Sequence, residues 1–115
     1  FVGKPPFFTN SMYALLNRML IPKRAKVSQI LDLKRKDQVQ LLNEIQHCSK
    51  QMKRHFKCAN LNVEKIGNII PQLHIHVIPR HKKDLTWPLS VWVTKPKQYK
   101  KKELEKILLK LKKII

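Results

Sequence analysis

The sequence of 115 residues has little that would place it in a membrane or crosslink it covalently. No apolar run approaches the roughly 20 residues of a membrane-spanning helix, and the N-terminal stretch lacks the layout of a secretory signal. The two cysteines, Cys48 and Cys58, lie on one predicted helix and its exit, which is not the pattern of a disulfide framework. We therefore expect a reducing compartment, cytoplasmic or alternatively mitochondrial, and no membrane partner. Because the chain begins at Phe1 rather than Met, we expect residues upstream that are missing here or removed by processing.

Acidic residues are also scarce. The sequence has seven of them and 25 lysines and arginines, which gives a formal net charge of +18 at pH 7. This excess goes beyond what one small anionic ligand requires, and it predicts binding to polyphosphate or RNA that weakens as salt rises. A lysine-rich composition imposed by an AT-rich genome is the other explanation. Aromatic side chains that could stack on bases are few, and the candidates Trp87, Trp92 and Tyr99 fit core and rim positions better.

The five histidines do not form a metal-binding pattern. A zinc site needs three or four ligands, and no acidic or cysteine partner lies close in sequence to His74 and His76. The remaining histidines lie in lysine-rich surroundings that are typical of solvated faces: His47, His55 and His81. We expect no metal and no other cofactor.

What the sequence does contain is a short strand with two imidazoles on one face. Side chains of an extended chain point alternately to opposite sides, so one face carries Gln72, His74 and His76. The other face is apolar and consists of Leu73, Ile75 and Val77. Gly67 and Pro71 lie before the strand and Pro79 closes it. Spacing alone leaves open whether these histidines are half-buried and merely hydrogen bonded, or whether one binds metal, transfers a proton or acts as a nucleophile.

The rest of the chain predicts an α+β domain. The predicted elements are, in chain order, a strand over 13–21, a helix from about Lys34 to Lys57 with Asp32 as its cap, a strand over 61–66, a turn over 67–71 and the histidine strand over 73–78. This order favours an antiparallel sheet with one long helix packed on it. The helix has an apolar stripe that comprises Val39, Leu42, Ile45, Met52 and Phe56, with Leu41 and Cys48 alongside. A basic amphipathic helix over 100–113 ends the chain.

The run Gln72, Leu73, His74, Ile75, His76, followed by Val and Ile, resembles the signature of the histidine triad (HIT) family of nucleotide hydrolases and transferases. Its pattern is His, apolar, His, apolar, His, apolar, apolar. Glutamine in the first position resembles a bacterial-type subfamily often labelled diadenosine tetraphosphate hydrolases. Residues 20–30 are similar to the family's strand-to-helix passage, and 87–92 to the subfamily's tail. The resemblance covers a HIT-like domain over 13–93, which leaves an irregular segment over 1–12 and a basic C-terminal helix over 94–115.

The resemblance implies roles for individual residues. His74, the middle histidine, attacks the α-phosphate and forms a nucleotidyl-histidine intermediate, with one ring nitrogen fixed by a nearby backbone carbonyl. His76 holds phosphate oxygens, while Gln72 can donate a hydrogen bond but cannot protonate a leaving group. Further nucleotide or phosphate contacts are expected from Asn62, Asn68, Lys26 and Arg80. For the two asparagines a simple turn role is equally compatible with the sequence.

Two functional hypotheses remain. The first is a HIT-type enzyme that acts on a phosphoanhydride or phosphoramidate, such as a dinucleoside polyphosphate. The second is a non-catalytic HIT-fold basic subunit of an RNA-protein assembly such as an organellar ribosome. His74 and His76 favour the first; Gln72, the charge, and Ala25-Lys26 where many members carry another histidine favour the second. The family also implies a homodimer that pairs through the helix and a sheet edge.

Overall fold

The computed structural model describes residues 18–93 and 100–112. In chain order, the strands and helices of this part are β1 (Arg18–Leu20), α1 (Arg35–Phe56), β2 (Asn60–Glu64), β3 (Ile75–Arg80) and α2 (Lys101–Lys112). The predicted segment over 1–12 and the first residues of the predicted strand over 13–21 lie outside the described residues. Neither described helix has the length and apolar character that crossing a membrane requires.

The described strands form an antiparallel sheet in the order β1-β3-β2, so the histidine strand is central. Met19 of β1 and Glu64 of β2 both lie opposite His76 in register, one on each side. The long helix packs on this sheet and a short helix follows near the C-terminus. The predicted fold class, α+β with an antiparallel sheet and a long helix, is confirmed.

The bounds of α1 agree with the predicted helix to within one residue at each end. Its buried residues are Leu41, Cys48 and Met52, which recur at the seven- and four-residue spacing of one helical face. Val39 and Leu42, assigned to the apolar stripe by the sequence, are instead 49% and 67% exposed. They lie about a quarter turn or more away from the face that meets the sheet, so their place in the stripe was wrong.

Asp32 does not cap α1. Its carboxylate accepts the backbone N–H groups of Ser28 and Gln29, at 3.1 and 2.9 Å, and so closes a 3-10 turn over Ile30–Asp32. These hydrogen bonds lower the pKa of Asp32 because they stabilise the ionised carboxylate. At the start of α1 the amide of Gln38 reaches back and donates to the carbonyls of Ile30 and Leu33, each at 3.2 Å. The predicted cap was therefore wrong, and its carboxylate stabilises the preceding turn.

The apolar face of the histidine strand forms the core, as predicted. Leu73, Ile75 and Val77 are almost completely buried and pack with Leu20, Leu41 and Met52. The strand itself begins at Ile75 and continues through Pro79 to Arg80, where Pro79 lies opposite Leu61. Proline does not end the strand here, which corrects the predicted boundary. The predicted turn before it contains Gly67 with φ +72°, a left-handed conformation that glycine adopts without strain.

The other face of β3 is covered by residues 84–93, which we call the cover segment. Arg80 fastens its first part: the guanidinium is 0% exposed and donates to the Asp84 carboxylate at 3.0 Å and to Thr86 Oγ1 at 3.2 Å. The same guanidinium lies 5.7 Å from the centre of the Trp87 ring. The sheet therefore lies between α1 on one face and the cover segment on the other.

Candidate functional site

His74 is held by the backbone just before β3. Its Nδ1 lies 2.7 Å from the carbonyl oxygen of Gln72, two residues earlier. A carbonyl only accepts, so Nδ1 carries the proton and donates, and Nε2 is left with the lone pair. The ring is only partly buried. In the neutral form of the ring, this arrangement selects the tautomer whose lone pair is on Nε2.

The approach to β3 is fastened to the loop that follows β1. The backbone N–H of Leu73 donates to the carbonyl of Val27 at 2.8 Å. The neighbouring Lys26 has a left-handed backbone with φ 55° and an exposed side chain. This backbone bond therefore places the loop that carries Lys26 beside the residues that hold His74.

His76 is the buried histidine of the pair, with 5% of its surface exposed. Its ring meets the His74 ring edge to face with centres 5.0 Å apart, and the Trp92 ring at 4.9 Å. Burial, with a smaller contribution from His74, lowers the pKa of His76 from 6.5 to about 4, although Glu64 acts in the opposite direction. At neutral pH the imidazole of His76 is therefore uncharged, so it does not withdraw electron density from His74 as a cation would.

The buried His76 makes protein stability depend on pH. In the folded state it takes up a proton only near its pKa of about 4, whereas the unfolded chain does so near 6.5. The unfolded state thus binds more protons between these values, and the free energy of unfolding falls as pH drops from 6.5 toward 4. We expect the loss to reach at most about 3 kcal/mol.

Urea unfolding of the wild type and His76→Gln across this pH range measures the contribution. The other titrating groups are common to both proteins, so only the wild type should show the additional slope. Parallel curves for the two proteins would refute it.

An acidic residue that the sequence analysis did not single out joins the site. Glu64 lies beside His76 in the sheet, and its carboxylate accepts the indole N–H of Trp92 and, at 3.2 Å, the hydroxyl of Ser90. Glu64 is one of only seven acids in the chain, and that rarity was the available signal. The place of Glu64 in the site follows only from the register of β2 against β3, which pairs Glu64 with His76.

The other predicted contact residues lie in different settings. Asn62 is on β2 and its amide donates to Glu64 at 3.4 Å, whereas Asn68 is exposed in the turn after Gly67. Arg80 is buried in its ion pair with Asp84. The nucleotide contacts of Asn62, Asn68 and Lys26 stay predictions. A phosphate contact by Arg80 also stays a prediction, and the complete burial of the Arg80 side chain argues against it.

The described residues contain no group of three or more histidine, cysteine, aspartate or glutamate side chains that could hold a metal ion. Both described cysteines, Cys48 and Cys58, are free thiols. Burial raises the pKa of the Cys48 thiol, which disfavours the reactive thiolate.

Comparison with known proteins agrees with this geometry. The model of the HIT domain family matches residues 14–83. A histidine triad protein of Bradyrhizobium japonicum has 36% sequence identity and a TM-score of 0.79, with 86% of this chain and 75% of that chain covered. A histidine triad protein of Marinobacter aquaeolei has 31% identity and a TM-score of 0.80, with 87% and 74% covered.

A third similar structure is a histidine triad protein of Sinorhizobium meliloti, with 27% identity, a TM-score of 0.79, and 88% of this chain and 76% of that chain covered. A search of curated protein sequences gave no match. The family model spans well over half of the sequence, and it includes both His74 and His76. The chain therefore belongs to the HIT domain family, whose members are generally nucleotide hydrolases and transferases.

Proposed function

We propose that the protein is a nucleotide hydrolase or nucleotidyl transferase that cleaves a phosphoanhydride or phosphoramidate bond through a nucleotidyl-His74 intermediate. The observation that carries the proposal is the 2.7 Å contact between His74 Nδ1 and the Gln72 carbonyl. It orients the ring and leaves the lone pair on Nε2, the state that a nucleophilic imidazole needs. Membership of the HIT family supports the class of substrate.

In this mechanism, Nε2 of His74 attacks the α-phosphorus of a bound nucleotide. A nitrogen–phosphorus bond forms and the bond from phosphorus to the leaving group breaks, with the electron pair departing on that group. The ring becomes positively charged, and the Gln72 carbonyl that accepts from Nδ1 stabilises this charge. Water then attacks phosphorus and loses a proton to solvent, while the nitrogen–phosphorus bond breaks; its electron pair returns to Nε2 and the nucleotide is released. In a transferase another nucleophile replaces the water.

His76 supports the phosphoryl group rather than the nucleophile. Its ring lies against that of His74, with centres 5.0 Å apart, and is neutral at pH 7 because burial lowers its pKa to about 4. A neutral imidazole can donate one N–H to a phosphoryl oxygen as negative charge develops there. One positioned donor of this kind is worth about 3 kcal/mol of transition-state stabilisation.

Gln72 restricts the leaving group. Its side-chain nitrogen is buried and has no hydrogen-bond partner among the described residues, so it is a donor without an acceptor before substrate binds. It can donate to a phosphate oxygen, but an amide does not transfer a proton at neutral pH. Leaving groups that depart as stable anions, such as nucleoside polyphosphates, therefore suit this site better than amines. A dinucleoside polyphosphate is the substrate class that we favour.

Gln72→His tests this restriction. A histidine at this position can act as a general acid, so we expect turnover of substrates with poor leaving groups to rise by up to about 100-fold. Substrates with good leaving groups should change little, because their departure needs no proton. The measurement is kcat/KM for a series of adenosine phosphoramidates and phosphoanhydrides with leaving groups of graded pKa. A uniform change across the whole series would contradict a role for Gln72 in selecting the leaving group.

The intermediate provides the direct test of the proposed function. The protein is mixed for a short time with a dinucleoside polyphosphate labelled at the α-phosphorus, quenched in alkali and separated from free nucleotide. Phosphorus bound to histidine nitrogen should remain on the wild type and be absent from His74→Ala. If neither turnover nor label is found, and salt-sensitive RNA binding is equal in both proteins, the proposal fails and the non-catalytic RNA-binding alternative stands.

A further inference from the structure

Glu64 is placed beside the site by strand pairing. It is the last residue of β2 and lies directly opposite His76 on β3, so the two side chains leave the same face of the sheet. Met19 of β1 occupies the corresponding position on the other side of His76. His76 is therefore flanked within the sheet by a thioether on one side and a carboxylate on the other.

The Glu64 carboxylate also connects β2 to the end of the cover segment. Oε2 accepts the indole N–H of Trp92, and Oε1 accepts the Ser90 hydroxyl at 3.2 Å and the Asn62 amide at 3.4 Å. Ser90 and Trp92 lie 26 and 28 residues further along the chain, so these are long-range tertiary contacts. Hydrogen bonds to a charged acceptor are roughly twice as strong as those between neutral groups.

Trp92 carries the effect of this connection to the active-site histidines. Its ring packs at 64° against the ring of His76 with centres 4.9 Å apart, and His76 in turn packs against His74. The order of contacts is thus Glu64, Trp92, His76 and His74. A side chain that fixes the indole also restricts the orientations that are open to the His76 ring.

We propose that Glu64 is a positioning residue for the reaction at His74: by holding Trp92 and Ser90 on β2, it fixes the indole against His76 and thereby orients the imidazole that contacts the phosphoryl group. This inference rests on the proposed function. The amide of Gln72 cannot act as a general acid, and Glu64 does not take over that role, because its oxygens accept from three donors. An ionised carboxylate, which only accepts, matches these partners.

Substitution of Glu64 separates positioning from a purely structural role. We expect Glu64→Ala to lower kcat by up to about 100-fold with a small change in KM, since misplacement of a group by an ångström costs that much. Glu64→Gln keeps an oxygen that can accept the indole N–H and should recover most of the loss. Glu44→Ala is the matched control, because it removes the same side chain from α1, on the opposite side of the sheet.

Two readouts do not depend on activity. The NMR resonance of the Trp92 indole N–H should move upfield in Glu64→Ala, as expected when a strong hydrogen bond is lost, and should stay near its wild-type position in Glu64→Gln and Glu44→Ala. Thermal unfolding of each variant shows whether it is folded at the assay temperature. If Glu64→Ala is unfolded there, Trp92→Phe takes its place, because it removes the indole donor that Glu64 holds and keeps an aromatic ring; a wild-type kcat for that variant would then overturn the inference.

A double-mutant cycle decides whether Glu64 acts through Trp92. Trp92→Phe removes the indole donor, so Glu64→Ala should cost much less kcat in that background than in the wild type. Additive losses, or a kcat for Glu64→Ala equal to that of the wild type, would overturn the inference. Failure of the proposed function is recognised separately, because His74→Ala would then leave turnover and covalent labelling unchanged.

Discussion

His74→Ala is expected to lower turnover of a dinucleoside polyphosphate by ~10⁴-fold or more, as loss of a nucleophile does in enzymes with covalent intermediates. The substitution removes the nitrogen that would bond to phosphorus. The Gln72 backbone carbonyl, the hydrogen-bond partner of His74, cannot replace it as a nucleophile. Because the His74 ring is only partly buried, the protein should remain folded. The measurement is single-turnover and steady-state kinetics, together with thermal unfolding.

His47→Ala is the control for this experiment. His47 is exposed on α1, which packs on the face of the sheet opposite the two site histidines. Its removal tests whether any histidine lost from this basic protein reduces activity. We expect wild-type kinetics from His47→Ala. Equal activity of the two variants would exclude His74 as the nucleophile.

Asp84→Ala is expected to cost about 3–5 kcal/mol of unfolding free energy. Asp84 neutralises a guanidinium that is 0% exposed, at 3.0 Å, and its loss leaves the charge of Arg80 buried with no carboxylate partner among the described residues. Thr86 and the Trp87 ring remain beside the guanidinium, but neither carries a negative charge. The measurement is the urea midpoint and slope by circular dichroism.

Asp37→Ala is the control for the buried pair. Asp37 forms a second ion pair, with Arg24 at 2.9 Å, but the Arg24 side chain is 53% exposed. Water can solvate Arg24 when its partner is removed, so the loss should be much smaller than for Asp84→Ala. Replacement of both Arg80 and Asp84 by apolar residues should recover part of the stability lost in Asp84→Ala. Similar losses at both aspartates would show that burial of Arg80 does not set the cost.

Local patterns were sufficient to predict the main elements. The helix over Arg35–Phe56 was predicted from apolar spacing over many turns, where a shift of one or two residues in the stripe hardly moves the ends. The same breadth explains the error at Val39 and Leu42, since both fit a helical period yet face away from the sheet. Alternation in residues 72–78 placed the apolar face of β3 correctly, because one face is strongly apolar.

The errors arose where contacts that apolar periodicity does not predict decide the structure. Asp32 is a suitable cap for α1 by position, but its carboxylate accepts two preceding backbone N–H groups instead. Pro79 was read as the end of a strand, whereas pairing with Leu61 of β2 continues the strand to Arg80. The cover segment has no periodicity that predicts its place, because it is held by side-chain contacts to Arg80 and Glu64.

The part of the candidate site that one short segment contains was predictable, and the part that separate segments build was not. His74 and its carbonyl partner lie within a few residues of each other, so a short motif contains them both. Glu64, His76 and Trp92 come from three separate segments, and only the strand register and the path of the cover segment bring them together. The burial that lowers the pKa of His76 has the same origin and could not be predicted from alternation alone.

The strand order has a consequence for how the protein acquires its structure during synthesis. The central strand of the described sheet is also the latest of its strands in sequence. β1 therefore has no strand partner until β3, in which Ile75 pairs with Leu20, has been made. β2 and β3 are close in sequence and can pair early, whereas the contact of β1 with β3 closes a long loop at a cost in chain entropy. A ribosome-bound chain that stops before residue 75 therefore has no central strand to pair with β1 and β2, and it lacks His76. The site is complete only once β3 and the cover segment have both been made.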